Sequence, residues 1–100
     1  MIKHIVVWRL HDSANGSNKA ENAAQIKRKL EGLKGIIPGL IAIEVGVDFS
    51  GTADSADLVL YSEFESREAL GAYQAHPMHK EVMPFITAAR CERRVVDYEV

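Results

Sequence analysis

Tyr73, His76 and His79 fall within the segment Ala72-Tyr-Gln-Ala-His-Pro-Met-His79, which gathers groups able to exchange protons near neutrality. Imidazole titrates near pH ~6.5 and phenol near ~10, so a neutral histidine beside a protonated tyrosine supplies a base and a hydrogen-bond donor. Such a pair suits proton abstraction next to a carbonyl: His79 would take the α proton while the Tyr73 hydroxyl donates to the oxygen as it becomes enolate-like. A plainer reading stands beside this one. Tyr73 can be a core aromatic whose hydroxyl finds a buried partner, and His79 a core histidine satisfied in the same way.

The elements that must position these groups follow from the apolar pattern. Ile2 to Leu10 is rich in β-branched and aromatic residues and reads as a first strand, followed by turn formers from Asp12 to Ser17. From Lys19 to Leu33, Ala23, Ile26, Leu30 and Leu33 recur at helical spacing, and Asn18 with Glu21 has the spacing of a capping box. Gly35-Ile-Ile-Pro-Gly39 ends that helix. Leu40 to Phe49 and Leu58 to Phe64 read as the second and third strands. A short helix opens at the N-cap Ser66 and carries Tyr73 on its apolar side. Pro77 interrupts that helix and suits the first turn of another, with His79, Val82, Met83 and Ile86 on one face, so His79 points inward. Arg93 to Val100 reads as the fourth strand.

The order βαββαβ, with the second helix broken, predicts an α+β, ferredoxin-like fold: an antiparallel four-stranded sheet with its helices on one face. In the first strand His4, Val6 and Trp8 project one way and Ile5 and Val7 the other, so both faces are apolar. Ile41, Ile43, Val45 and Val47 in the second strand are expected to share a face opposite smaller residues. One helical layer covers only one face. A second copy packed on the helix-free face would cover the other, giving a homodimer built as a dimeric α/β barrel.

Composition narrows the classes further. At 100 residues with 47% hydrophobic content, one domain spanning 1–100 with a small core is expected. A net charge of −2 and no nucleic-acid-binding motif argue against a nucleic-acid partner; Lys27-Arg28-Lys29 is read as a solvated helix face. The apolar run near the amino terminus is too short for a membrane span or a secretory core. The lone Cys91, read as a buried thiol, fits a reducing compartment, and the expected location is cytoplasmic. His76 and His79, with His4 as a third nitrogen, give a metal reading, but no His-Glu-x-x-His motif accompanies them, so no metal and no cofactor are assigned.

Ile2-Lys-His-Ile-Val-Val-Trp-Arg-Leu10, Ile36-Ile-Pro-Gly39, Glu44-Val-Gly46, Phe64-Glu-Ser66, Tyr73-Gln-Ala-His-Pro-Met-His79 and Asp97-Tyr98 together resemble the stress-responsive α/β-barrel (Dabb) family over nearly the whole chain. The resemblance implies a homodimeric α/β barrel, in a family most of whose members have no known biochemical activity. A plant polyketide cyclase of that family performs an aldol closure with a Tyr and a His, to which Tyr73 and His79 correspond. His4 and His76 correspond to histidines lining its pocket, and Val6, Trp8, Leu60, Val82 and Val95 to apolar lining positions. Leu58 stands where that pocket has another histidine, Arg93 replaces a lining leucine, and the first helix lacks the cyclase's aromatic residues. The dyad is retained while the long apolar tunnel is altered. Arg93 shares strand parity with Val95, so it is expected to reach the same cavity and to hold an anionic group.

The expectation is therefore a dimeric barrel protein binding a small, anionic or neutral, carbonyl-containing metabolite between sheet and helices. The alternatives are a cofactor-independent cyclase or lyase using Tyr73 and His79, and a non-catalytic structural dimer of the stress response.

Overall fold

The β-branched run at the amino terminus forms β1 (Ile2–Leu10) in the computed structural model, which describes all 100 residues. Two two-residue strands, β2 (Ser13–Ala14) and β3 (Ser17–Asn18), follow as a small hairpin where the sequence alone predicts only a turn-rich loop. Its turn is Asn15-Gly16, both with positive φ (53° and 72°), the backbone that matches strand twist in a two-residue hairpin. α1 spans Lys19–Glu31. It begins at the predicted cap, where the Asn18 side chain accepts a hydrogen bond from the Glu21 N–H.

β4 (Leu40–Val47) and β5 (Leu58–Phe64) come next, then α2 (Arg67–Ala75) and α3 (Pro77–Ala89), and finally β6 (Arg90–Glu99). Ser66 caps α2 by accepting from the Ala69 N–H. β6 leaves α3 directly and begins three residues earlier than the sequence pattern indicated, at Arg90 rather than Arg93.

The four long strands form one antiparallel sheet in the order β4-β5-β1-β6. This is the ferredoxin-like arrangement, in which each βαβ unit brackets one intervening strand. Ile2, His4, Val6, Trp8 and Leu10 face the helices and are buried, as are Leu58, Leu60, Ser62 and Phe64 on β5. Ile26 and Leu30 of α1, Tyr73 of α2 and Ile86 of α3 complete the core from the helical side. Of the four apolar residues expected to share a face of β4, only Ile43 and Val45 are buried. A register irregularity between Leu40 and Ala42 and the strand's far end leave Ile41 and Val47 exposed.

Two polar devices hold the frame. Asn22 of α1 is buried, donates to the Ala14 and Asn18 carbonyls at 2.8 and 3.1 Å, and accepts from Asn15, which ties the hairpin to the helix. On the outer edge of the sheet, Glu31 accepts from the Val45 N–H at 3.0 Å while Lys27 donates to the Val45 carbonyl at 2.6 Å and to Glu31 at 2.8 Å. That ion pair holds the Glu31 carboxyl below its usual pKa, with the Val45 N–H adding to the effect.

Gly39, with φ of +83°, makes the turn into β4, and a Cβ built on it would lie 2.6 Å from the Ala69 Cβ. The loop therefore packs directly on α2, close to the cap at Ser66. Cys91 is exposed, contrary to the buried thiol expected, because β6 is an edge strand that the helices do not cover.

Candidate functional site

α2 and α3 meet at His76, whose extended backbone (φ −65°, ψ 136°) ends one helix and starts the next. Pro77 occupies the first turn of α3, where its missing N–H costs nothing. The His76 ring caps this turn: Nδ1 accepts from the Met78 N–H at 3.1 Å. The break carries Tyr73, from the last turn of α2, and His79, from the first turn of α3, onto the same inner surface. Their ring centroids are 4.4 Å apart and their planes are tilted by 53°.

His4 reaches this surface from β1, with its ring centroid 6.4 Å from that of Tyr73. Its orientation is set from the neighbouring strand. Asp97 lies opposite His4 in the β1–β6 register, and its carboxylate accepts a hydrogen bond from His4 Nδ1. An ionised carboxylate can only accept, so Nδ1 is the donor in this bond. On the other side of β1, Ser62 donates to the His4 carbonyl at 2.8 Å.

A recess of about 80 Å³ opens between the sheet and the helices at this point. It brings together seven of the residues singled out in the sequence: His4, Val6 and Trp8 from β1, Leu60 from β5, Tyr73, His79 and Arg93. Arg93 does enter the cavity wall, directly opposite Trp8 in the strand register. His76, Val82 and Val95 lie outside it: His76 is a helix cap, Val82 turns toward the α1 side, and Val95 sits 42% exposed on the uncovered edge strand. Leu58, where the resemblance placed a missing histidine, is core. Leu30, Gln74, Met83, Ile86, Thr87 and Arg90 complete the lining. Of these, Arg90 is the most consequential, and its sequence position at the helix–strand junction gave no sign of it.

Three buried polar atoms lack a hydrogen-bond partner within the chain: Trp8 Nε1, Tyr73 Oη and His79 Nδ1. All three belong to residues lining this one recess. Burial pushes the Tyr73 hydroxyl up to about 12, so it is a phenol at neutral pH. Burial also lowers the His79 pKa, outweighing a contact with the Gln74 carbonyl that falls short of a hydrogen bond, and the nearby His4 and Arg93 lower it further, so the imidazole is neutral at pH 7. Two unpaired donors, Trp8 N–H and Tyr73 O–H, thus belong to the lining of the recess together with a neutral imidazole.

No helix is long and apolar enough to cross a membrane. Solved structures share the fold along the whole chain. A dimeric ferredoxin-like protein of unknown function from Bacteroides fragilis is 29% identical, with a TM-score of 0.87 over 99% of this chain and 95% of that one. One from Thermobifida fusca, also described as dimeric and of unknown function, is 24% identical, with a TM-score of 0.85 over 99% and 90%. A hydroxynitrile lyase from Passiflora edulis is 20% identical, with a TM-score of 0.81 over 99% and 92%, and shares the fold alone. Among curated proteins, no sequence matches this one. The model of the stress responsive A/B barrel domain family, Dabb, matches residues 2–100, and the chain belongs to that family.

Proposed function

We propose that this Dabb chain binds a small carbonyl-containing metabolite in the recess between sheet and helices, and that it does so as a homodimer joined through the helix-free sheet face. The observation that carries the binding reading is the convergence of Trp8 Nε1, Tyr73 Oη and His79 Nδ1, all buried and unpartnered, on one cavity. Leaving one such atom unsatisfied costs about 1–3 kcal/mol, so three together favour a ligand that bonds to them. A carbonyl oxygen can accept from donors such as these.

The dimer reading is supported by the helix-free face, where Ile5, Val7 and Val59 are only half-buried and Val96 is 60% exposed. The related structures from B. fragilis and T. fusca are described as dimeric. Light scattering during gel filtration tests it: a species near 22 kDa, twice the 11.1 kDa of the chain, is expected, and a clean monomer at micromolar concentration overturns it.

Acid/base catalysis at the same site is a second reading, favoured by the protonation states: His79 neutral and able to accept a proton, Tyr73 protonated and able to donate. Thermal-shift screening with short aldehydes, ketones and oxo acids separates the two. A ligand that raises the melting temperature of the native chain but not of Tyr73→Phe, and is recovered intact, establishes binding. Recovery of a changed product that disappears in His79→Ala establishes the enzyme. Stabilisation indifferent to Tyr73, His79 and Trp8 substitution defeats both.

A further inference from the structure

The recess has two zones of different chemistry. Its floor is formed by Trp8 and Tyr73, 3% and 0% exposed, with the half-buried His79 beside them. Its outer wall is formed by Arg90, half-buried at the C-cap of α3, and Arg93, exposed three residues further along β6. No aspartate or glutamate lines the cavity. The ion pairs of the chain are His4–Asp97, Lys19 with Asp12 and Asp57, Lys27–Glu31 and Arg67–Glu99, so neither recess arginine is neutralised by a carboxylate. Neither guanidinium donates a hydrogen bond within the chain; the single side-chain bond in that region uses the Arg93 carbonyl.

Two uncommitted guanidiniums above two uncommitted neutral donors define a ligand with an anionic end and a separate oxygen. We infer that the recess selects a short carboxylate bearing a second oxygen, with the carboxylate held by Arg90 and Arg93 and the carbonyl or hydroxyl oxygen bonded to Trp8 Nε1 and Tyr73 Oη. The inference rests on the binding reading above and adds to it a charge and a size. The planar fork of arginine matches a carboxylate with two parallel hydrogen bonds, which an exposed lysine cannot reproduce. The volume of about 80 Å³ limits the size, since pockets for drug-sized ligands run to roughly 300–1,000 Å³. A small molecule of a few carbons fits that volume; a long polyketide does not.

Trp8 is the single tryptophan, so its fluorescence and its one indole N–H resonance report on the cavity floor. The test titrates the full chain with freshly prepared acetoacetate and with its neutral counterpart acetoacetamide, in the native protein and in Arg90→Gln, Arg93→Gln and Arg93→Lys. Acetoacetate is expected to bind about tenfold more tightly than the amide, with both shifting the indole resonance. In either glutamine variant that preference falls to about twofold or less, and Arg93→Lys recovers only part of it. Arg93 is exposed, so its variants test the proposal even if Arg90→Gln does not fold.

Equal affinity for the two probes in the native protein overturns the anion subsite, as does a preference that survives Arg93→Gln. If equal binding is also weakened by Tyr73→Phe, the recess remains a binding site and only the charge selection fails. If neither probe moves the indole resonance, the binding reading fails with it. Inorganic phosphate that competes as strongly as acetoacetate without moving the indole resonance overturns the two-ended ligand.

Discussion

Tyr73 and His79 are in ring contact at 4.4 Å, yet the hydroxyl of one and the Nδ1 of the other are both without a hydrogen-bond partner in the chain. They share a surface without bonding to each other. A tyrosine and histidine that satisfied one another would be a structural pair; in these two the Tyr73 hydroxyl and the His79 Nδ1 both stay unpaired. Their arrangement follows from the helix break at His76 and Pro77, which turns α3 so that its first-turn face continues that of α2.

The Tyr73 hydroxyl is therefore expected to contribute nothing to folding. Tyr73→Phe should leave the unfolding free energy within about 0.5 kcal/mol of the native value or raise it, because it removes a buried polar atom that has no partner. Urea denaturation followed by Trp8 fluorescence measures this. A loss above about 2 kcal/mol would mean that the hydroxyl is bonded in the folded chain.

His79 gives stability a pH dependence of known sign. Its folded pKa lies below the unfolded value of about 6.5, so between the two the unfolded chain binds the proton more readily and stability falls as pH falls. The full contribution is present above pH ~6.5 and is lost as pH drops through the folded pKa. Unfolding curves from pH 7.5 to pH 5 should show this decline, and His79→Leu should flatten it. An unchanged slope in the variant would assign the dependence to another group.

Gly39 is constrained twice, by its positive φ and by the Ala69 Cβ at 2.6 Å from where its own would stand. Gly39→Ala should cost more than the roughly 1 kcal/mol of a left-handed alanine alone, because loop and helix must also separate. Coupling to Ala69→Gly, which removes the opposing Cβ, should recover part of the loss. Recovery in thermal melts of the double variant checks that contact.

Asn22 should be among the most sensitive polar positions. Asn22→Ala removes the bonds to the Ala14 and Asn18 carbonyls and to Asn15, at an expected cost of about 2–3 kcal/mol. Amide exchange should show the loss concentrated in the β2–β3 hairpin and the first turn of α1. Uniform loss across the sheet would contradict the local role.

Local chemistry made most of the frame readable in advance. Leu58–Phe64, the caps at Asn18 and Ser66 and the restart at Pro77 are each specified by residues a few positions apart. The inward side of β1, with His4, Val6 and Trp8, followed from alternation alone. What could not be read depends on distant partners. Asn22 looks like an exposed helix residue until the hairpin folds over it, and the His4–Asp97 bond joins residues 93 positions apart. β6 has no buried face to impose alternation, which hid both its start at Arg90 and the exposure of Cys91. The recess was legible as polar residues converging on an apolar core, but its size and its second arginine required the helix–strand junction in three dimensions.

The clamp of Lys27 and Glu31 on Val45 has a consequence for assembly. A sheet extends into a fibre only if each molecule offers two free edges, one to receive a strand and one to be received. In this chain the N–H and carbonyl at the middle of β4 are already occupied by α1, which leaves β6 as the open edge. Strand pairing between copies through the middle of β4 would have to break those two bonds first, so edge-to-edge growth is resisted on that side of the sheet.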